Sequence, residues 1–170
     1  AKSAGRNTLR FFDPPMQLAM DYRSALEAEL RQAFQHQQFH LYYQPQMDGA
    51  RRMIGVEALL RWEHPERGMV SPDDFIPLAE ESGLILPIGQ WVMETACTQL
   101  KSWEKESRTQ NLTIAVNVSA RQFRQADFVA RVKQTLETSR ANPARLKLEL
   151  TESLVLENIK DTIEKIRAIK

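Results

Sequence analysis

LTIAVNVSARQFRQADFVARVKQTLETSRANPARLKLELTES, residues 112–153, carries the alternation on which the fold turns. Leu112–Val116 reads as a strand, Arg124–Ser139 has helical spacing, Asn142-Pro143 breaks the pattern, and Leu146–Leu150 reads as a second strand. A further helix is expected over Asn158–Lys170. Strand, helix, strand, helix argues for parallel strands joined by crossover helices. Periodicity leaves open whether they close into a barrel or form an open doubly wound sheet.

Upstream, apolar residues including Met16, Leu18, Leu26, Leu30, Ala33 and Phe34 recur at helical spacing, with Asp21, Arg23, Glu27, Glu29 and Arg31 between them. This predicts a long amphipathic helix from Pro15 to Gln35. Phe39–Gln46 and Arg52–Trp62 read as two strands around a turn at Asp48-Gly49. Ser71-Pro72-Asp73-Asp74 starts a helix: a capping hydroxyl, a first-turn proline, and acids at the positive end of the helix dipole. Gly83 is expected to end that helix, and a second should run from Pro87 to Glu106.

Lysine plus arginine number 23 against 22 for aspartate plus glutamate, a balance that draws the chain neither to DNA or RNA polymers nor to an anionic membrane. The single cysteine, Cys97, has no partner for an intrachain disulfide, which fits a reducing cytoplasm. Gly83–Met93 is the most apolar stretch, and Pro87, Gly89 and Gln90 interrupt it well short of the roughly 20 apolar residues a membrane span needs. A longer parent protein would be free to carry membrane helices outside this segment.

In parallel β/α folds the C-terminal ends of the strands are where ligands bind and catalytic side chains project. Strand Ile54-Gly55-Val56 leads into Glu57, Ile114-Ala115-Val116 into Asn117, and Leu146-Lys147-Leu148 into Glu149, with Thr151 and Glu152 just beyond. Two carboxylates and an amide oxygen are hard donors of the kind that hold Mg²⁺ or Mn²⁺. One such residue alone is more often a cap on the next helix or turn; three in succession are harder to ascribe to capping. Leu146, Leu148 and Leu150 share one face of their strand, so Lys147, Glu149 and Thr151 point to the other.

These same stretches carry a family resemblance. Glu57-Ala58-Leu59-Leu60-Arg61-Trp62, Asn117-Val118-Ser119-Ala120-Arg121-Gln122-Phe123 and Glu149-Leu150-Thr151-Glu152-Ser153 resemble, in order, motifs of the EAL domain. So do Tyr43-Gln44-Pro45-Gln46, Phe75-Ile76-Pro77-Leu78-Ala79-Glu80 and Ile88-Gly89-Gln90-Trp91-Val92. The resemblance implies an α/β fold: a modified (β/α)8 TIM-like barrel with an antiparallel first strand, here incomplete and preceded by a helical linker. Its implied activity is a phosphodiesterase reaction in bacterial second-messenger signalling. A water activated at two Mg²⁺ or Mn²⁺ ions attacks cyclic di-GMP in line and gives linear pGpG.

Carried over by motif, Glu57, Asn117 and Glu149 would be metal ligands, Arg61 would contact a phosphate, and Gln44 would lie near a guanine. Glu152 would brace the loop that shapes the metal site, or else serve only as a helix-start acid. The family's Asp-Asp-Phe-Gly motif, catalytic lysine and later glutamates have no counterpart in the sequence; its one Asp-Asp pair, Asp73-Asp74, belongs to a helix start. The 170-residue chain by itself is therefore expected to be inactive. Gly5–Pro14 resembles the connector that follows a GGDEF domain in tandem GGDEF-EAL proteins. Residues 1–16 are then an interdomain connector and residues 17–170 the N-terminal portion of the domain. A homodimer is a further family expectation. The rival reading is a degenerate EAL domain that serves as a non-hydrolytic cyclic di-GMP receptor or protein-interaction module.

Other signals are structural. His36 and His40 have the spacing of helical metal ligands but no acidic third ligand nearby, and His64 is expected in a turn. Trp91 and Trp103 are spaced as helix core residues.

Overall fold

The computed structural model describes residues 14–150 and 159–169. Helix α1 (Pro14–Gln35) leads into strands β1 (Phe39–Met47), β2 (Met53–His64) and β3 (Gly68–Val70), followed by helices α2 (Pro72–Ser82) and α3 (Ile85–Trp103). Then come β4 (Thr113–Val118), the short α4 (Ala120–Phe123), α5 (Phe128–Ser139), a 3-10 turn at Pro143–Arg145, β5 (Leu146–Leu150) and α6 (Ile159–Ile169).

The sheet runs β1-β2-β4-β5, with β3 paired to β2. β1 is antiparallel to β2, whereas β2, β4 and β5 are mutually parallel. This is the expected start of a barrel whose first strand is reversed. The β1–β2 hairpin is closed by Asp48, whose Oδ1 accepts from the backbone N–H of Ala50 and of Arg52, each at 2.9 Å. Pro45 does not end β1; on the outer strand of the described sheet its missing N–H costs no ladder bond on the open side.

Strand alternation divides the sheet into two faces. Val56, Ala58, Trp62, Ile114, Val116 and Val118 are buried, and Leu146, Leu148 and Leu150 pack against them. This face meets the helices, with Ile88, Val92, Ala96 and Leu100 of α3 in the same core. The other face carries Gln44, Glu57, Arg61, Asn117, Lys147 and Glu149, none of them buried.

Trp62 is fully buried, stacked edge-on to Phe75 at 5.6 Å, and its Nε1 donates to Gln38 Oε1 at 3.0 Å. Its neighbour in the stack, His64, is not a turn residue: it ends β2 and is buried. Nδ1 of His64 accepts from the backbone N–H of Glu66 and Arg67, so the ring holds the turn into β3 from its strand position. The turn carries Arg67 to Glu29 of α1, with Nε and Nη2 donating at 2.8 and 3.0 Å. Below that clasp Leu26, Leu30 and Ala33 seat α1 in the core, while Met16, Leu18 and Met20 are exposed. α1 runs unbroken across positions 16 and 17.

Helix boundaries shift where caps outweigh periodicity. α2 starts as expected on Ser71 and Pro72 and ends at Gly83, whose φ of 84° suits a residue without a Cβ. α3 begins at Ile85 and takes Pro87 into its first turn, where a missing N–H is harmless. The helix expected over Arg124–Ser139 begins only at Phe128, as α5, and the separate short helix α4, capped by Ser119, precedes the expected span. α6 docks through buried Thr162 and Lys165, the Lys165 ammonium donating to Phe123 O at 2.8 Å.

Candidate active site

Glu57, Asn117 and Glu149 meet on the polar face near the C-terminal edge of the parallel strands. Register fixes this: Glu57 stands opposite Ala115 on one side and Gln44 on the other, and Asn117 stands opposite Glu149. Adjacent strands lie about 4.8 Å apart, so the three side chains share one patch. Asn117 Nδ2 donates to Glu57 Oε1 at 2.7 Å, which bridges β2 and β4 by side chains as well as backbone.

Two of the positions differ from their expected places. Asn117 lies within β4, which continues to Val118, and not just past the strand. Glu57 lies in the middle of β2, because β2 continues along β1 and on to β3 after its parallel ladder with β4 stops at Ala58. The end of that ladder, and not the end of the strand, marks the site edge at β2.

The turn after Asn117 is locked by a capping box. Ser119 Oγ accepts from Gln122 N–H and Gln122 Oε1 accepts from Ser119 N–H, each at 3.2 Å. Arg121 then donates from Nη1 to the carbonyls of Glu80 and Glu81, which close the C-terminal turn of α2. The loop below the site is thereby tied to two helices.

A cleft of about 380 Å³ opens at this edge; its lining is mostly apolar, with Ile85, Ile88 and Val92 of α3, and includes Arg61, Asn117 and Glu149. Glu57 joins it through its bond to Asn117, and Gln44 stands one strand further out. Arg61 is half-buried, donates from Nη1 to Leu60 O at 2.9 Å, and lies over the ring of Tyr42. Glu152, the remaining predicted site residue, lies outside the described residues. Tyr42 was not anticipated, although the same alternation that places Gln44 on this face places Tyr42 there.

Among the described residues no group of three His, Cys, Asp or Glu side chains is placed to hold a metal. The amide of Asn117 is what brings this patch to three oxygen donors. Half a turn about its last side-chain bond presents Oδ1 in place of the N–H now given to Glu57. Two carboxylates and an amide oxygen on a rigid strand edge suit a hard divalent cation. His40 is engaged elsewhere, with Nε2 3.5 Å from Glu63 Oε2. Cys97 is buried, and burial pushes its thiol up to about 11, so it offers no nucleophile near neutral pH.

Known proteins share this fold. Over 157 residues the chain is 43% identical to the bifunctional diguanylate cyclase/cyclic di-GMP phosphodiesterase MucR of Pseudomonas aeruginosa, a match covering 92% of this chain and 23% of that protein. It is 38% identical over 158 residues to the cyclic di-GMP phosphodiesterase PdeR of Escherichia coli, covering 93% of this chain and 24% of that one. The chain thus spans about a quarter of the length of these curated relatives. Among solved structures, the MucR phosphodiesterase in complex with c-di-GMP superposes with a TM-score of 0.82 at 41% identity, covering 85% of this chain and 59% of that one. The cGMP-bound EAL enzyme Bd1971 gives 0.80 at 32% identity, covering 91% of this chain and 44% of that one. The EAL domain model matches residues 27–170, and with the reversed first strand and the Glu57-Ala58-Leu59 signature in place, the chain belongs to the EAL domain family.

Proposed function

We propose that this chain forms the N-terminal part of a phosphodiesterase barrel that opens cyclic di-GMP to linear pGpG. The observation that carries the reading is the Asn117–Glu57 hydrogen bond on the face shared with Glu149 and Arg61. It sets three oxygen donors beside one guanidinium at the edge where such folds do their chemistry. Relatives of 43% and 38% identity named as cyclic di-GMP phosphodiesterases support the choice of substrate.

In this reading Glu57, Asn117 and Glu149 hold divalent cations, Mg²⁺ or Mn²⁺, which when bound lower the pKa of a water and stabilise the charge on the departing oxygen. Arg61 binds a non-bridging phosphate oxygen through its donor fork, a role suited to a planar, always-charged side chain. Gln44, one strand away, meets the edge of a guanine. Asn117 keeps the Glu57 carboxylate oriented before the ligand arrives. Attack of water on one phosphorus, with departure of the ribose 3′ oxygen, gives a 5′-phosphorylated linear dinucleotide. By the resemblance to the EAL domain, Glu152 would brace the loop that shapes the metal site. Residues 1–16 are the connector from a GGDEF domain, and the parent works as a homodimer on a cytoplasmic messenger.

The 170-residue chain alone should not turn over substrate, since its only Asp-Asp pair, Asp73-Asp74, lies in the first turn of α2. The test is cyclic di-GMP hydrolysis with Mg²⁺ or Mn²⁺ by the chain extended through the remaining strands of its barrel. Conversion to pGpG that disappears in Glu57→Ala supports the proposal; ligand binding without conversion would make the domain a receptor.

A further inference from the structure

Tyr42 sits two residues before Gln44 on β1, on the face that carries the site, and is 52% exposed. Its neighbour Tyr43 turns the other way and rests 5.6 Å from Trp103. Tyr42 pairs with Leu59 and His40 pairs with Arg61, so Tyr42 and Arg61 are diagonal neighbours across the hairpin. A long side chain spans that diagonal. The Arg61 Cζ lies 5.9 Å from the centre of the Tyr42 ring, within the range of cation–π attraction.

Among the described residues Arg61 is held by this ring and by Leu60 O, and by no carboxylate. Cation–π attraction to the ring consumes none of the guanidinium N–H donors. One of these, on Nη1, goes to Leu60 O, which fixes the rotation of the fork about its own axis.

We infer that Tyr42 is a positioning residue: its ring is the shelf that holds the Arg61 fork level with the phosphodiester of the bound dinucleotide. The ring face does this, and the hydroxyl is dispensable. The inference rests on the reading of Arg61 as the phosphate contact. An unrestrained arginine on this exposed face would have to be ordered on binding, and the ring removes part of that cost. Affinity should suffer when the ring is lost, while the rate of the bound complex should change little.

The experiment measures the cyclic di-GMP dissociation constant, with KM and kcat where turnover occurs, for the chain extended through its barrel. Tyr42→Leu should weaken binding and raise KM by roughly three- to fivefold with kcat within about twofold, and Tyr42→Phe should behave as wild type. In an Arg61→Ala background, Tyr42→Leu should have no further effect, which a merely structural role for Tyr42 would not produce. Wild-type affinity in Tyr42→Leu, equal damage in Tyr42→Phe, or an undiminished effect in the Arg61→Ala background overturns the shelf. If Arg61→Ala weakens binding and Tyr42→Leu does not, only the shelf falls. If Arg61→Ala is itself silent, or the wild type binds no cyclic di-GMP, the reading of the site falls with it.

Discussion

Gly55 lies on β2 where the parallel ladder to β4 begins, paired with Thr113. A Cβ there would fall against Thr113 Oγ1 and stand 2.7 Å from Thr113 O. The hydroxyl can swing aside, but the carbonyl is backbone, so the strands must part. Real Cβ contacts almost never fall below 3.0 Å, and the retreat is then at least about 0.3 Å along the ladder that holds Glu57 two residues further on. Overpacking of this kind costs about 1–3 kcal/mol, offset by about 0.5–1 kcal/mol because alanine loses less entropy than glycine in a strand. Gly55→Ala should therefore lose up to about 2.5 kcal/mol, read as a lower urea midpoint at unchanged slope. Gly49→Ala is the control: nothing lies within 4 Å of the added carbon, and it should stay within about 0.5 kcal/mol of wild type. A Gly55→Ala midpoint at or above wild type would refute the close approach of β2 and β4.

Three other outcomes follow from the packing and the charges. Trp62→Ala removes a fully buried ring that touches Phe39 and Phe75 and leaves Gln38 without its donor, so thermal or urea unfolding should show a loss of about 3–5 kcal/mol; a loss under about 2 would contradict the packing. Hydrogen bonds from Arg67 hold the Glu29 carboxyl below its usual 4.5, so its stabilisation is complete above that pH and fades as the pH falls through the lower folded value. Glu29→Gln should accordingly be less stable than wild type at pH 7, by a gap that narrows as the pH falls below 4.5, and a gap that does not change with pH would rule out the linkage. Cys97, its thiol raised to about 11, should react with a maleimide at neutral pH only slowly in the folded protein and readily in urea; fast labelling of the native chain would show that the core is open there.

Much of this architecture was legible because it depends on local patterns. The leucine alternation of Leu146–Leu150 gives the two faces of β5 directly, and Ser71-Pro72 with Gly83 brackets α2 within a residue. What escaped depends on partners distant in sequence. No pattern in Gly68–Val70 announces a strand; it becomes one because Trp62–His64 offers an edge to pair with. His64 reads as a turn residue from its neighbour Pro65 and is recognised as a buried cap only when Trp62 and Glu29 are seen around it. The break before α5 comes from the Ser119–Gln122 box, legible in principle as a serine followed three residues later by glutamine. At the site, strand-end position singled out Glu57, Asn117 and Glu149, and the resemblance to the EAL domain added Arg61. The Asn117–Glu57 bond and the Tyr42–Arg61 contact needed the strand register.

The most direct test of the account is Mn²⁺ binding, followed by electron paramagnetic resonance, to the chain extended through the rest of its barrel and to its Asn117→Ala variant. If Glu57, Asn117 and Glu149 hold the cation together, removing the amide that both bridges to Glu57 and completes the oxygen set should weaken Mn²⁺ binding at least about tenfold while the fold persists. Unchanged Mn²⁺ affinity in Asn117→Ala would contradict the account, because the three strand-edge residues would then not form a metal site.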